Sequence, residues 1–567
     1  MPRLRPEKTD GPPLGQGEAG PPDFTDQPRV RLNDHGVLDV PPLGGWSPVL
    51  SVSVVVPAHG QPEKLSLVLA SLAGQSYPSH LMEVVVVDDG SAEPLVLPEV
   101  RPQNTRIVSS GPGGWGSAHA VNTGVAVSSG QVVLRLDADM LVYREHVESQ
   151  MRWHHLVDYG VVMGHKLFVD FDPSMVEGEL SPGRVREEVR AGRADRLFDR
   201  ESADPHWVEA VIERGNGLRD SGHKAYRVFI GATGSMHRTL FDEAGGMDPA
   251  MVLGGDSELG YRLAQRGALF VPDLDTSSWH LGRSQMQTRR DAGTRYRSPH
   301  IANRVPDYHL RRKSPERIWE VPRADVVVQA GGFSLEEVEA TAARVLAGTA
   351  PDIRLWLVGP WSGIGDGRCS PLEEECLDLR LIREAFRGDP RVRFSEEVPE
   401  EDPQVPFRLY VPTGSLPLRG MVADLVKLAD ADGAGLVCVP VPGALRAGDG
   451  VLRMERAAAF ARARHLEPGA GGGDLDRVVE AVSGIRWASA QDIVDVPEGA
   501  DTTWSAVRAG AVRRRAGADL SPAELRRELA RAQTEVARLK HKVERTERKL
   551  RWFTPGLTRR VLRRIAR

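Results

Sequence analysis

Short apolar runs alternate with segments of helical spacing along most of this chain, and this alternation limits the folds open to it. The runs at 51–56, 83–87 and 132–136 are rich in valine, and leucines at helical spacing follow the first of them. A second block of the same kind begins at Ala324. Strands that alternate with helices form a mostly parallel sheet with helices on its faces. The sequence therefore predicts an α/β fold with two such domains.

The chain has 567 residues, which exceeds what one hydrophobic core supports. Its first residues are rich in proline, glycine and charge, a composition typical of disorder. The predicted organisation, in chain order, is a disordered tail at 1–28, a hairpin or extension at 29–50, an α/β domain at 51–285, a linker at 286–322, a second α/β domain at 323–510, a coiled coil at 521–552 and a basic amphipathic tail at 555–567.

The C-terminal region differs from everything before it. Its apolar residues alternate spacings of four and three over about four heptads, which predicts a coiled coil and, through it, a homodimer. A solitary charged helix is the alternative. The last eleven residues carry several arginines and no acid, with apolar residues at helical spacing. They fit either peripheral contact with an anionic membrane or a solvated tail.

Composition narrows the class of protein. The net charge of −5 gives no sign of a nucleic-acid partner. Cys369, Cys376 and Cys438 have neither metal-site nor disulfide spacing. No signal peptide is evident, and no apolar run approaches the roughly 18 residues that span a bilayer. The expectation is a cytoplasmic protein, with possible attachment to the inner face of the plasma membrane, from a GC-rich, actinobacterial-like genome.

Acidic residues follow two of the apolar runs. Asp137, Ala138 and Asp139 come directly after the run at 132–136, and an Asp-Asp-Gly-Ser segment follows the run at 83–87. Ligands bind at the carboxyl ends of strands in open α/β sheets. Two carboxylates at such an edge suit a divalent cation that bridges phosphates. The second segment also fits a simple turn, because Asp-Gly favours turns.

Five segments of the first domain agree with one another in order and spacing. They are Val54–His59, Val85–Ser91, Gly116–Gly124, Asp137–Asp139 and the Gly-Gly-Asp-Ser-Glu run at 254–258 followed by Trp279-His280. In this combination the region 50–285 resembles the family 2 glycosyltransferases of the GT-A fold. Its second half is similar to galactosyltransferase-type domains.

The resemblance implies a nucleotide-sugar donor, UDP-linked, and Mn²⁺ or Mg²⁺ as the cofactor. Asp139 and His280 are the implied metal ligands, although a lone histidine is also often structural. The implied donor-binding residues are Pro57, Ala58, His59, Asp89, Asn122, Asp137, Ala138 and Gly231. Where the family often has arginine before the asparagine, this chain has Val121, a departure that bears on the donor base.

The resemblance also implies the chemistry. Asp256 matches the family's general base, which takes the proton of the acceptor hydroxyl in an inverting displacement. Glu258, Gly255 and Trp279 are the implied acceptor-binding residues. A helix that begins near Glu258 would place Asp256 at its N-terminus, where a carboxylate is stabilised. The implied acceptor is a glycan or lipid-linked glycan of the bacterial cell surface.

Two other functions remain open at this point. A nucleotidyltransferase on a similar sheet would open with a basic, glycine-rich phosphate loop, whereas the segment 57–61 has no lysine or arginine. A non-catalytic glycan-binding or scaffold protein would suit the tandem domains and the coiled coil. The second domain ends its strands without paired acids, which favours a degenerate GT-A copy or an unrelated α/β domain.

Overall fold

The computed structural model describes residues 22–365, 374–441 and 450–495, together with residues 14, 20 and 370. The predicted coiled coil at 521–552, the basic tail at 555–567 and most of the tail at 1–28 lie outside the described residues. Within them, no helix is both long enough and apolar enough to cross a membrane.

The first half of the chain builds a sheet with helices around it. Its strands are β1 Val52–Ala58, β2 Met82–Asp88, β3 Thr105–Ser109, β4 Val132–Leu136, β5 Met140–Val142, β6 Gly160–Gly164, β7 Leu167–Val169, β8 Asp204–Pro205, β9 Thr233–His237, β10 Leu269–Asp273 and β11 Ser278–Leu281. Its helices are α1 Pro62–Leu72, α2 Ser117–Val127, α3 His146–His154, α4 Pro182–Arg190, α5 Trp207–Arg214, α6 Arg238–Glu243, α7 Gly255–Gln265, α8 Gln285–Thr288 and α9 Arg290–Arg304.

The second half repeats the alternation. Its strands are β12 Ala324–Gln329, β13 Ile353–Val358, β14 Val392–Ser395, β15 Phe407–Tyr410, β16 Leu416–Pro417, β17 Leu436–Pro440, β18 Val451–Arg456, β19 Ile485–Trp487 and β20 Val494–Asp495. Its helices are α10 Leu335–Leu346, α11 Leu377–Phe386, α12 Met421–Asp432, α13 Ala457–Leu466 and α14 Gly472–Val482.

Both large sheets have seven strands and one topology. The first runs β10-β6-β9-β4-β1-β2-β3, and the second runs β19-β17-β18-β15-β12-β13-β14. In each, a single strand, β9 or β18, is antiparallel to both of its neighbours. The other pairings are parallel, as predicted for alternating strands and helices. The shared order supports the interpretation of the second sheet as a copy of the first.

The central strands of the first sheet are buried on both faces. All seven residues of β1 and of β2 are buried, which explains their continuous valine runs. A smaller sheet, β5-β11-β7-β8, lies beyond the carboxyl end of β4. Because β5 begins directly after Asp139, this small sheet carries the chain across the edge where the predicted site residues lie.

Gly124 lets α2 pack closely on the first sheet. A Cβ at this position would lie 2.5 Å from Val55 Cγ1 and 2.9 Å from Val87 Cγ2, both on buried strands. We expect Gly124→Ala to lower the free energy of unfolding by about 1–3 kcal/mol through overpacking, partly offset by better helix propensity. Urea unfolding measures the change. Gly183→Ala in α4, where a Cβ meets nothing within 4 Å, is the control and should not destabilise; equal effects would contradict the packing argument.

The predicted hairpin at 29–50 is wrong, and the segment is an extension. Its one regular element is a 3-10 turn, His35–Val37. The backbone N–H of Leu32 donates to Val482 O at 2.7 Å, and the Asn33 side chain exchanges hydrogen bonds with the Phe270 backbone at 2.9 Å. The segment therefore pairs with both halves of the chain instead of with itself.

The prediction of a linker at 286–322 is also wrong, because the segment is helical. It contains most of α8, all of α9 and a 3-10 turn at His309–Lys313. Ile301 and Ala302 are buried against the first core. The Arg311 guanidinium is buried and donates to Ala302 O at 2.6 Å and Val321 O at 2.8 Å. A basic, polar sequence concealed this helix because its buried face is narrow.

The charged segment at 173–222 includes helices α4 and α5. The apolar run at 226–230 has the pattern of a strand but does not form one: a 3-10 segment runs to Val228, and the strand begins at Thr233. The two halves of the chain are joined by Arg462 of α13. Its buried guanidinium donates to Gly267 O at 2.7 Å, Ala268 O at 2.9 Å and Val30 O at 3.1 Å.

Candidate active site

The carboxyl edge of the first sheet collects most of the predicted site residues. Ala58 and Asp88 end β1 and β2, and Asp137 follows β4. The N–H of Asp137 donates to Ala232 O at 3.0 Å, which fixes the acid against the start of β9. Strand β11 returns to the same edge, since the N–H of Leu281 donates to Asp139 O at 2.8 Å.

Asp139 and His280 face each other across this edge. The Nε2 atom of His280 lies 3.5 Å from Asp139 Oδ1. That oxygen is buried and has no hydrogen-bond partner among the described residues. Buried polar atoms are rarely left unpaired, and an exception at such an edge calls for a functional explanation. The prediction that these two residues lie together agrees with their positions.

The tautomer of His280 follows from its other nitrogen. Nδ1 lies 2.9 Å from Gly282 O, and a carbonyl only accepts, so Nδ1 carries the proton. Burial lowers the pKa of His280 and so favours the neutral ring, whereas Asp139 has the opposite effect. The Nε2 lone pair therefore points toward the Asp139 carboxylate. Metal-bound histidines commonly donate their second N–H to a backbone carbonyl in this way.

Arg135 of β4 joins two of the predicted residues. Its guanidinium is bound to Asp256 Oδ1 and lies 3.1 Å from Asp137 Oδ1. Asp256 is in the first turn of α7, close to the predicted helix start. Its second oxygen, Oδ2, accepts no hydrogen bond within the described part of the chain. Arg135 thereby positions Asp256 at the same sheet edge as Asp139 and His280.

Asp137 is held in an environment that disfavours its charge. Burial raises the pKa of Asp137 to about 6, and the neighbouring carboxylates Asp139 and Asp256 act in the same direction, against the effect of Arg135. The three carboxylates outnumber the nearby cationic side chains Arg135 and Lys166, which leaves negative charge at this edge. A bound cation would relieve that repulsion.

A second group of predicted residues surrounds the ends of β1 and β2. Asp89 Oδ2 accepts from Gly116 N at 2.6 Å, whereas its buried Oδ1 has no hydrogen-bond partner among the described residues. His59 is exposed, and its Nδ1 lies 3.1 Å from Asp89 O. Asp88 accepts from Ser91 N and Leu95 N, each at 2.9 Å, so it holds the turn. Of the two neighbouring acids Asp88 and Asp89, it is therefore Asp89 that has a buried oxygen free to bind a donor.

The acceptor-binding roles predicted for Glu258 and Trp279 are wrong, because both side chains are buried and their polar atoms already have hydrogen-bond partners. Glu258 is 2% exposed, and Arg262 donates to both of its oxygens, at 2.5 and 2.6 Å. Trp279 is 0% exposed, and its Nε1 donates to Ala194 O at 2.8 Å. Both side chains stabilise the fold around the site.

Three further predictions need correction or a new reason. The Asn122 side chain donates to Met247 O at 2.8 Å and accepts from Met247 N at 2.9 Å, so it braces a loop. Gly255 is buried in the first turn of α7. A Cβ on Gly231 would lie 2.2 Å from Arg135 Nη1, so this glycine makes room for the arginine.

Sequence reasoning missed Arg135 and Lys166. Arg135 interrupts an apolar run two residues before Asp137, which was a signal, since buried arginines need acidic partners. Lys166 follows β6 at the same sheet edge and is 3% exposed. Burial lowers the pKa of Lys166 to about 8, opposed by Glu209 and Asp137.

Part of this sheet edge lies in a segment that matches a known protein family. Residues 53–175 match the model of glycosyl transferase family 2, and this range contains β1, β2, β4 and the Asp137–Asp139 segment. This part of the chain is similar to the family 2 glycosyltransferases. With the mostly parallel sheet, the match bears out the predicted α/β fold and the predicted resemblance to family 2.

Two curated relatives of this chain are N-acetylglucosaminyltransferases. The one from Bradyrhizobium elkanii is 34% identical over 123 residues, which are 20% of this chain and 65% of the relative. The one from Rhizobium meliloti (strain 1021) is 34% identical over 124 residues, which are 21% of this chain and 28% of the relative. The chain thus spans less than two thirds of either relative.

Solved structures give weaker likenesses. The mannosyltransferase PcManGT from Pyrobaculum calidifontis, in complex with GDP-Man and Mn²⁺, is 20% identical, with a TM-score of 0.30, over 46% of this chain and 65% of its own. TarS 1-349 from S. aureus is 16% identical, with a TM-score of 0.27, over 41% of this chain and 60% of its own. TM-scores this low give no information about which ligands this chain binds.

Proposed function

We propose that this chain transfers a sugar, with inversion, from a UDP-linked donor to a hydroxyl of a glycan or lipid-linked glycan. The family 2 domain supports the reaction class. The names of the two curated relatives make UDP-N-acetylglucosamine the first donor to test. A bacterial cell-surface polysaccharide is the proposed destination of the sugar.

One observation carries the proposal: the unpaired Asp139 Oδ1 faces the Nε2 lone pair of His280 at 3.5 Å. Two electron-rich atoms at this distance repel each other unless a proton or a cation lies between them. The carbonyl of Gly282 holds the ring proton on the other nitrogen. The donor set of one carboxylate and one neutral imidazole fits Mn²⁺, and Mg²⁺ less well, because Mg²⁺ prefers oxygen ligands.

Asp139 and His280 would hold this cation. When bound, Mn²⁺ or Mg²⁺ supplies Lewis-acid stabilisation of the departing diphosphate. Among the described residues no group of three or more His, Cys, Asp or Glu side chains forms a metal cluster. Two protein ligands would leave the remaining coordination of the cation to phosphate oxygens and water.

The other site residues act as general base and bind the donor nucleotide. Asp256 accepts the proton of the acceptor hydroxyl through Oδ2, while Arg135 holds its Oδ1. Asp89, with Pro57, Ala58 and His59, forms the pocket for the donor base, and Asp137 and Ala138 border the donor's ribose. Lys166 adds positive charge near Asp137.

Other parts of the proposal concern the whole protein. The second sheet lacks the acids at the matching position, where Val411-Pro412-Thr413 follows β15 in place of Asp137–Asp139. We therefore assign it a non-catalytic part. A homodimer through 521–552 and peripheral contact at the inner face of the plasma membrane complete the proposal.

Donor hydrolysis tests the function. Purified protein is given Mn²⁺ or Mg²⁺ with UDP-, GDP- and dTDP-sugars, and released nucleoside diphosphate is measured with and without EDTA. We expect metal-dependent release of UDP, first from UDP-N-acetylglucosamine. No release from any donor, together with no nucleotide binding by calorimetry, would favour the scaffold alternative.

A further inference from the structure

A large cleft lies beside the candidate active site and is not part of it. Its volume is about 720 Å³, within the range of about 300–1,000 Å³ typical of ligand pockets. One wall is helix α5, from the charged segment at 173–222, and the other is formed by Tyr143 and the stretch 274–277. The walls therefore combine the helical insertion with the segment that leads into β11.

Two features of the cleft suit a sugar. Trp207 lines it with a side chain that is 59% exposed, although tryptophans are usually well covered. Thr276, on the opposite wall, is 8% exposed, and its hydroxyl has no hydrogen-bond partner among the described residues. An open aromatic face and an unpaired buried hydroxyl match the apolar face and the hydroxyl rim of a pyranose ring.

The charges of the cleft favour a neutral ligand. Its acidic residues, Glu145, Glu209, Glu213 and Asp275, outnumber its basic residue, Arg200. Burial lowers the pKa of His165 to about 4, so that imidazole is neutral. Asp275 pairs with Arg152 and Glu145 pairs with Arg144, which leaves little net charge for an ionic ligand, and sugar hydroxyls donate well to the carboxylates.

The cleft adjoins the candidate active site through a stack of rings. His206 of the cleft lies 5.5 Å from the Phe168 ring, which lies 4.4 Å from the His280 ring, centroid to centroid. A second connection runs through Glu209, whose carboxylate interacts with the buried Lys166. Phe168 therefore lies between His206, which lines the cleft, and His280, the proposed metal ligand.

We propose that this cleft binds a neutral oligosaccharide, the part of the acceptor that lies away from the reacting hydroxyl. This inference rests on the proposed function and names the class of its acceptor. The face of Trp207 stacks on one sugar ring, and Thr276 and Glu209 bind hydroxyl groups. The helical insertion thereby selects the acceptor.

Binding of neutral tetrasaccharides to the whole protein, without donor or metal, tests the proposal. Cellotetraose, chitotetraose and mannotetraose are titrated by calorimetry against wild type, Trp207→Ala and Thr276→Val. We expect at least one to bind, with affinity about tenfold weaker in Trp207→Ala, as for loss of an aromatic contact of about 1.4 kcal/mol. Thr276→Val should weaken binding severalfold, and Thr276→Ser should retain it.

Trp487→Ala is the matched control, because Trp487 is 62% exposed and lies on β19 of the second sheet. The proposal is overturned if none of the three saccharides binds wild type, if Trp207→Ala and Trp487→Ala lose affinity equally, or if tetragalacturonate binds better than the neutral sugars. Donor hydrolysis is measured on the same preparation. If wild type hydrolyses the donor but binds no saccharide, the cleft proposal alone is refuted, whereas absence of both donor hydrolysis and nucleotide binding in wild type refutes the proposed function.

Discussion

Asp139→Asn is expected to reduce metal-dependent release of UDP from the donor by about 10²-fold or more. The substitution removes the charge of the carboxylate whose buried Oδ1 lies 3.5 Å from His280 Nε2. Weaker cation binding leaves the charge that develops on the diphosphate without its stabilising partner. His280→Gln should lower the same rate, since it removes the imidazole lone pair. Initial rates over a range of Mn²⁺ concentrations measure both effects.

The matched control is Asp432→Asn, at the end of helix α12 in the second half of the chain, where the acid pairs with Arg486 at 3.4 Å. It should retain the wild-type rate. If Asp139→Asn kept its activity at every Mn²⁺ concentration while remaining folded by circular dichroism, the assignment of Asp139 as a metal ligand would be wrong.

Asp256→Asn should lower kcat for transfer by about 10²–10⁴-fold, the usual contribution of a general base. The amide keeps the shape of the side chain but does not accept the acceptor's proton as a carboxylate does. Donor affinity should change little, because the pocket at Asp89 is untouched. Transfer to an added acceptor, with UDP binding measured by calorimetry, separates the two effects.

The second sheet supplies the control for this variant. Asp474 is in the first turn of α14, as Asp256 is in the first turn of α7, and both follow glycines. Asp474 is paired with Arg477 at 2.9 Å and is exposed. Asp474→Asn should leave transfer unchanged. Equal losses in the two variants would indicate that the second sheet also carries catalysis.

Much of the fold was predictable because its signals are local. Valine runs buried on both faces mark the parallel strands, and the acids after β4 mark the sheet edge. The pairing of Asp139 with His280 followed from the resemblance to family 2, since no local pattern brings together residues so far apart in the sequence. The helix at α9 was missed because its sequence is mostly polar.

The remaining errors concern which polar residues are paired. Glu258 and Trp279 lie in the predicted segments, but Arg262 and the carbonyl of Ala194 occupy their polar atoms. Such partners are distant or on the hidden side of a helix, so a sequence does not reveal them. Arg135 shows the converse, because its two acidic partners become evident only once α7 is placed beside β4.

Because the two large sheets share one topology, their corresponding residues can be compared directly. Both sheets share one strand order with a single antiparallel strand, yet Asp137–Asp139 is matched by Val411-Pro412-Thr413 in the second. A Gly-Gly-Asp run begins α7 in the first and recurs at the start of α14 in the second. This pattern supports duplication of one domain, with acids after the fourth strand in only one of the two copies.

Direct binding of Mn²⁺ tests the central claim, that Asp139 and His280 hold the cation for the donor's diphosphate. Electron paramagnetic resonance of free Mn²⁺ is recorded as wild type, Asp139→Asn and His280→Gln are titrated in the presence of UDP. We predict that wild type removes the free Mn²⁺ signal when UDP is present and that each variant does so at least tenfold more weakly, a difference of about 1.4 kcal/mol. Equal binding by all three proteins, or no binding by wild type, would contradict the account.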